Sequence, residues 1–151
     1  MSSSIENEIG LYFGSDISYL DLVQHVSDRI ASMTGMDEDS QYSVGLSVRE
    51  AVTNAIQHGN RGDRSKKVEL RFQLLTDRLM ITVRDEGEGI EESNLPDPLD
   101  PENLLKPGGR GIFFVRSFMD KVSFRVHPEG GQEIIMEKLR GKNQGEEEND
   151  D

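Results

Sequence analysis

The 151-residue sequence predicts an α+β fold, a two-layer sandwich with a mostly antiparallel sheet and helices on one face. Three observations predict it. Apolar residues recur at helical spacing in the first third of the chain. They alternate with period two through the middle and again near the end. Short polar turns separate the alternating runs closely enough for hairpins.

Each element follows in order. Ile9, Leu11 and Phe13 alternate as a short first strand. Ser15-Asp16 offers a helix cap, Leu20, Val23, Val26, Ile30 and Met33 recur at helical spacing, and Gly35 ends that helix. Asp37, Glu38 and Asp39 suit the positive end of a second helix running to about Gly59. A polar loop, Asn60-Arg61-Gly62-Asp63, leads to a hairpin. Val68, Leu70, Phe72 and Leu74 share one strand face, Thr76-Asp77-Arg78 turns, and Leu79, Ile81 and Val83 continue the alternation. From Gly87 to Gly111 the chain is rich in Gly, Pro and acids, a length that in a compact domain marks a functional or disordered loop. Ile112, Val115, Phe118 and Met119 mark a third helix. Val122, Phe124 and Val126 form a strand, Pro128-Glu129-Gly130-Gly131 turns, and Gln132 to Leu139 closes the fold. The expected organisation is a flexible N-terminus over 1–7, one domain over 8–139 and an acidic, disordered tail over 140–151.

Composition narrows the function. The net charge is −12, and the last twelve residues, with five acids and two bases, still leave the body at −9. Direct nucleic-acid binding is therefore disfavoured. There is no apolar run long enough for a membrane span and no signal-peptide pattern at Met1-Ser2-Ser3-Ser4. The absence of cysteine removes thiolate metal sites and fits a reducing, cytoplasmic setting. An anionic ligand would need backbone N–H groups, a cation or a few placed basic residues.

Three patterns are candidates for a ligand site, each with an ordinary alternative. On helix two, Glu50, Asn54 and His58 follow at four-residue intervals, roughly opposite the apolar Val48, Val52, Ala55 and Ile56. They are either a solvated face or a base beside an oxygen ligand for a hard cation such as Mg²⁺. Asp85 continues the apolar face of the second hairpin strand and precedes Gly87 and Gly89. It either caps a turn or offers an acceptor-only carboxylate to an exocyclic amino group such as adenine N6. Lys106-Pro107-Gly108-Gly109-Arg110-Gly111 enters helix three, as a linker or as a phosphate cradle with its own cations. No Walker lysine motif and no Gly-x-Gly-x-x-Gly opening a βαβ unit is present. His25 and His127 read as surface or packing residues.

The order of these patterns carries a resemblance. Glu50-x-x-x-Asn54-Ala55-x-x-His58-Gly59, Asp85-x-Gly87-x-Gly89 and Gly108-Gly109-Arg110-Gly111 resemble the ATP-binding superfamily of gyrase, Hsp90, histidine kinases and MutL. The likeness spans about residues 8–139. It is greatest to the anti-sigma-factor serine/threonine kinases of bacterial partner switching, through Glu50-Ala51-Val52-Thr53-Asn54-Ala55 and Arg116-Ser117-Phe118-Met119-Asp120. The resemblance implies a Bergerat-type ATP-binding fold, with ATP and Mg²⁺ as cofactors. Glu50 would be the general base, Asn54 the Mg²⁺ ligand and Asp85 the adenine contact, with Gly87 and Gly89 giving room. Lys106, Gly108, Gly109, Arg110 and Gly111 would lie over the phosphates. The implied partners are an anti-anti-sigma-type protein substrate and a sigma factor, and a homodimer stays open. One departure is that Gly131 is followed by Gln132 where the family often has Gly-Thr. The rival reading is an ATP-responsive protein-binding module without phosphotransfer. A detached histidine-kinase catalytic domain is disfavoured, because His58 lies on the ATP-site helix.

Overall fold

The fold was obtained as a computed structural model, which describes residues 5–88 and 115–141. Strand β1 spans Ile5–Gly14, α1 Leu20–Ser32, α2 Glu38–Asn54, β2 Lys67–Leu75, β3 Arg78–Arg84, β4 Lys121–Val126 and β5 Gln132–Leu139. Residues 115–118 add a helical turn before β4. The five strands form one sheet in the order β1-β2-β3-β5-β4, with every neighbouring pair antiparallel. The predicted α+β architecture is the observed one.

The alternation read from the sequence sets which face is buried. Val68, Leu70 and Phe72 of β2 and Leu79, Ile81 and Val83 of β3 are all buried. Phe72 lies opposite Ile81, which in turn lies opposite Met136, so the apolar rows of three strands align. Leu20, Val23 and Ile30 of α1 and Val44, Val48 and Val52 of α2 pack against that face in a single core. Asp16, the expected cap, accepts from Ser18 N–H, and Asp37 caps the second helix by accepting from Ser40 N–H. Gly35, at φ 82°, ends the first helix.

Four boundaries differ from the sequence reading. β1 begins at Ile5, within the segment expected to be flexible, because its backbone pairs with Leu74 and Leu75 across a bulge. The first helix starts as a 3-10 turn over Ile17–Tyr19. The second ends as a π-turn over Ala55–Gly59, closed by Asn60, whose N–H donates to Ala55 O. Arg140, expected in a disordered tail, is instead tied down. Its guanidinium donates to the carbonyls of Thr34 and Leu75 and pairs with Glu6, and its N–H reaches Asp77 O. Five guanidinium donors satisfy several chain ends at once, which alternation cannot reveal.

A buried asparagine joins helix, strands and loop. Asn60 is 1% exposed and follows the π-turn directly. Its Nδ2 donates to Ser15 Oγ at 2.8 Å and to Lys67 O at 3.0 Å, and its Oδ1 accepts from Glu86 N–H at 2.7 Å. Asn60→Ala strands these groups in the interior, so it should cost about 1–3 kcal/mol. Urea unfolding checks this: the midpoint should fall with the slope unchanged.

Candidate functional site

Asp85 follows the last residue of β3 and is 5% exposed. Its position in the alternation turns it inward, and the chain then bends away through Glu86 and Gly87. Oδ1 accepts from Gly87 N–H at 2.8 Å and from Gln132 N–H at 3.0 Å. Its own N–H donates to Gln132 O. Oδ2 accepts no hydrogen bond among the described residues. Burial pushes this carboxyl above the ordinary carboxylate value, against the smaller opposing effects of the two backbone donors and of Lys66 and Arg84.

Three glycines make room around it. A Cβ at Gly59 would fall on Asp85 Oδ2, and one at Gly87 would fall on Gly59 O. A Cβ at Gly131 would overlap Asp85 O, and Gly131 holds φ at 94°, where side chains are strained. The substitution-intolerant ring is thus Gly59, Gly87 and Gly131, with the carboxylate at its centre. Gly87 is expected to give room, and Gly59 is expected at the end of the second helix and within the motif that begins at Glu50. Gly131 looked like an ordinary turn residue, and Gln132 looked like a departure. Gln132 meets Asp85 through its backbone, so the side-chain identity there leaves this contact intact.

Helix α2 brings two further groups to the same region. Glu50 and Asn54 lie one turn apart in its last stretch, both half-buried. Neither side chain has a hydrogen-bond or ion-pair partner among the described residues. His58, predicted on the same stripe, is exposed. The π-turn holds more residues per turn than an α-helix, so a four-residue step there no longer returns to the same line. Asp85 sits against Gly59 at the end of this helix, with Asn54 and Glu50 following back along it. From Gly59 to Glu50 the rise is about 13 Å. Gly89, Lys106, Gly108, Gly109, Arg110 and Gly111 lie outside the described residues. His25 and His127 are not part of this cluster. The ring of His25 meets Asp21 O, and that of His127 accepts from Glu129 N–H within a turn.

The raised carboxyl has a pH consequence. The folded chain holds the Asp85 proton more tightly than the unfolded chain, whose value lies near 3.8. Unfolding therefore releases a proton between 3.8 and the raised native value, and this group's contribution to stability falls as pH rises through that window. Asp85→Asn removes that contribution. Wild-type minus variant stability, from urea unfolding across acidic to neutral pH, should decline with pH and then level off. A flat difference would show that burial does not perturb Asp85.

Comparison with known proteins identifies the family of the whole chain. The family described as "Histidine kinase-like ATPase domain" matches residues 13–138. The serine-protein kinase RsbW of Bacillus licheniformis is 32% identical over 127 residues, covering 80% of this chain and 78% of that one. The RsbW of Staphylococcus epidermidis is 30% identical over 148 residues, covering 93% and 92%. Among solved structures, the RsbU and RsbW domains of Rv1364c from Mycobacterium tuberculosis superpose with a TM-score of 0.64 at 15% identity. That superposition covers 88% of this chain and 32% of the larger one. The nucleotide-free catalytic domain of histidine kinase ThkA gives 0.57 at 15% identity, covering 87% and 98%. Both superpositions speak for the fold. The chain therefore belongs to the histidine kinase-like ATPase family and, within it, to the anti-sigma-factor serine/threonine kinases, ATP-dependent protein kinases and regulators of the bacterial partner-switching type.

Proposed function

We propose that Asp85 selects the adenine of ATP while Glu50 and Asn54 serve the transferred phosphoryl group. One observation carries this reading. Among the described residues, a buried carboxylate with one oxygen committed and one uncommitted sits at Gly59, and two oxygen-bearing side chains without partners lie back along the same helix. The separation of about 13 Å along the axis suits an extended nucleotide, with its base at one end and phosphates at the other. The uncommitted Oδ2 is an acceptor for an amino group.

Glu50 takes the proton from a serine or threonine hydroxyl as that oxygen bonds to the γ-phosphorus of ATP. The bond to the β-phosphate oxygen breaks and ADP leaves. Positioning and charge stabilisation supply most of the acceleration in such transfers. Mg²⁺ would neutralise phosphate charge when bound. The Asn54 amide oxygen, half-exposed and without a partner among the described residues, fits the sparse oxygen donation that Mg²⁺ takes from protein when phosphates and water supply the rest. Lys106, Gly108, Gly109, Arg110 and Gly111 complete the proposal as the segment over the phosphates, and Gly89 as room beside the base. The proposed partners are an anti-anti-sigma-type substrate and a sigma factor in the cytoplasm, with a second copy of the chain as a further partner. Among the described residues, no helix is long and apolar enough to cross a membrane.

Removing the Asp85 charge separates recognition from folding. Asp85→Asn keeps an acceptor for both backbone donors but turns a donor toward the base. ATP affinity should fall about ten- to a hundredfold. Calorimetry measures it, and equal affinities would refute the adenine contact.

Glu50→Gln should bind Mg·ATP nearly normally yet transfer phosphate about 10²- to 10⁴-fold more slowly. Asn54→Ala should weaken ATP binding in the presence of Mg²⁺ and much less in its absence. Both are read with radiolabelled ATP and an anti-anti-sigma-type protein substrate. A wild-type chain that binds ATP and phosphorylates no such partner would instead be an ATP-responsive binding module.

A further inference from the structure

Arg84 directly precedes Asp85 and takes the opposite face of the sheet, away from the helices. Its side chain is 20% exposed. A guanidinium held that far from water needs partners, yet its Nε is buried without one among the described residues. Glu133, its cross-strand neighbour on β5, pairs with Arg125. Nη1 of Arg84 approaches Glu129 at 3.9 Å, but that carboxylate is 81% exposed and adds little. The close contact is to backbone: Nη2 donates to Gly130 O at 3.1 Å, across 46 positions of sequence. What this arginine holds is a turn.

That turn needs holding. Gly130 and Gly131 follow one another at φ 99° and 94°, and glycines have the widest choice of other conformations. Within the turn, Gly130 N–H donates to His127 O and His127 N–H to Gly131 O, both at 2.8 Å. An added Cβ would meet nothing within 4 Å at Gly130, but at Gly131 it would overlap Asp85 O. The turn is thus open on one side and pressed against the backbone of Asp85 on the other. The next N–H along the chain, that of Gln132, is one of the two that hold Asp85 Oδ1. A turn that drifts outward carries this donor away and frees the carboxylate to rotate. We propose that Arg84 is a positioning residue for nucleobase recognition: it ties the β4–β5 turn to β3, so that Gln132 N–H fixes the Asp85 carboxylate and leaves Oδ2 to the base. Arg84 itself touches no ligand. Its positive charge acts in the same sense, opposing the effect of burial on the Asp85 carboxyl.

This inference rests on the adenine contact proposed above, and its test separates the two. Arg84→Met keeps the apolar stem and removes the donors and the charge. Amide hydrogen exchange at Gln132 in the nucleotide-free chain should then speed up about five- to tenfold, while amides within α1 exchange as in wild type. By calorimetry, ATP affinity should fall about three- to tenfold. Affinity for purine riboside triphosphate, the analogue of ATP without the exocyclic amino group, should be unchanged. Added to Asp85→Asn, Arg84→Met should weaken ATP binding little further, because both act on one contact. Equal losses for the two nucleotides would show that Arg84 merely supports the fold, and would overturn the proposal. So would a folded variant with wild-type Gln132 exchange and wild-type preference for ATP. If Arg84→Met does not fold, Arg84→Gln, whose side chain stops short of Gly130 O, is read in the same way. Should Asp85→Asn leave ATP affinity unchanged, the adenine contact fails by itself, and Gln132 exchange then decides whether Arg84 holds the turn.

Discussion

A carboxylate taken out of water must recover its hydration from fixed donors, and among the described residues Asp85 finds them for one of its two oxygens. Two backbone N–H groups serve Oδ1, from Gly87 just beyond the strand and from Gln132 on the neighbouring strand. Burial still dominates and raises the carboxyl above its ordinary value. The uncommitted oxygen is a local cost in stability that a bound amino group would relieve. Proteins concentrate such costs at working sites and offset them elsewhere in the fold.

Holding that carboxylate in place demands close backbone approach from three directions. Gly59 ends the π-turn, Gly87 starts the following loop, and Gly131 closes the β4–β5 hairpin at a positive φ. A side chain at any of them would displace Asp85 or its neighbours. Asn60 locks the same region one residue further on, joining Ser15, Lys67 and Glu86. The π-turn and this amide together set where α2 ends relative to β3. They therefore also set how far Glu50 and Asn54 stand from the carboxylate.

The sheet that carries this site also has an asymmetry between its edges. β4 is short and cationic, whereas β1 is long, lacks basic residues and is flanked by exposed aromatic and aliphatic side chains. Ion pairs such as Arg71 with Glu69, and Arg78 with Glu137, cover the sheet face away from the helices. Such pairs add little stability where exposed, but they keep that face polar. Apolar surface is left beside β1.

Period two in β2 and β3 determined which residues are buried, because a half-covered sheet allows one register. Helical spacing did the same for α1 and α2. Capping acids placed both helix starts, since Asp16 and Asp37 act through their nearest backbone neighbours. The inward turn of Asp85 was legible for the same local reason, as was the one-turn spacing of Glu50 and Asn54. Other features were decided by tertiary structure alone. Gly131 and Gln132 reach Asp85 across 46 and 47 positions of sequence, and Asn60 reaches Ser15 across 45. Arg140 ties down the chain end through carbonyls more than 60 positions away. The π-turn at Ala55–Gly59, which changes the helical period that sequence spacing assumes, was likewise not legible from spacing. Periodicity reports which face a residue takes within its own element, whereas contacts between distant turns are created only when the sheet brings those turns together.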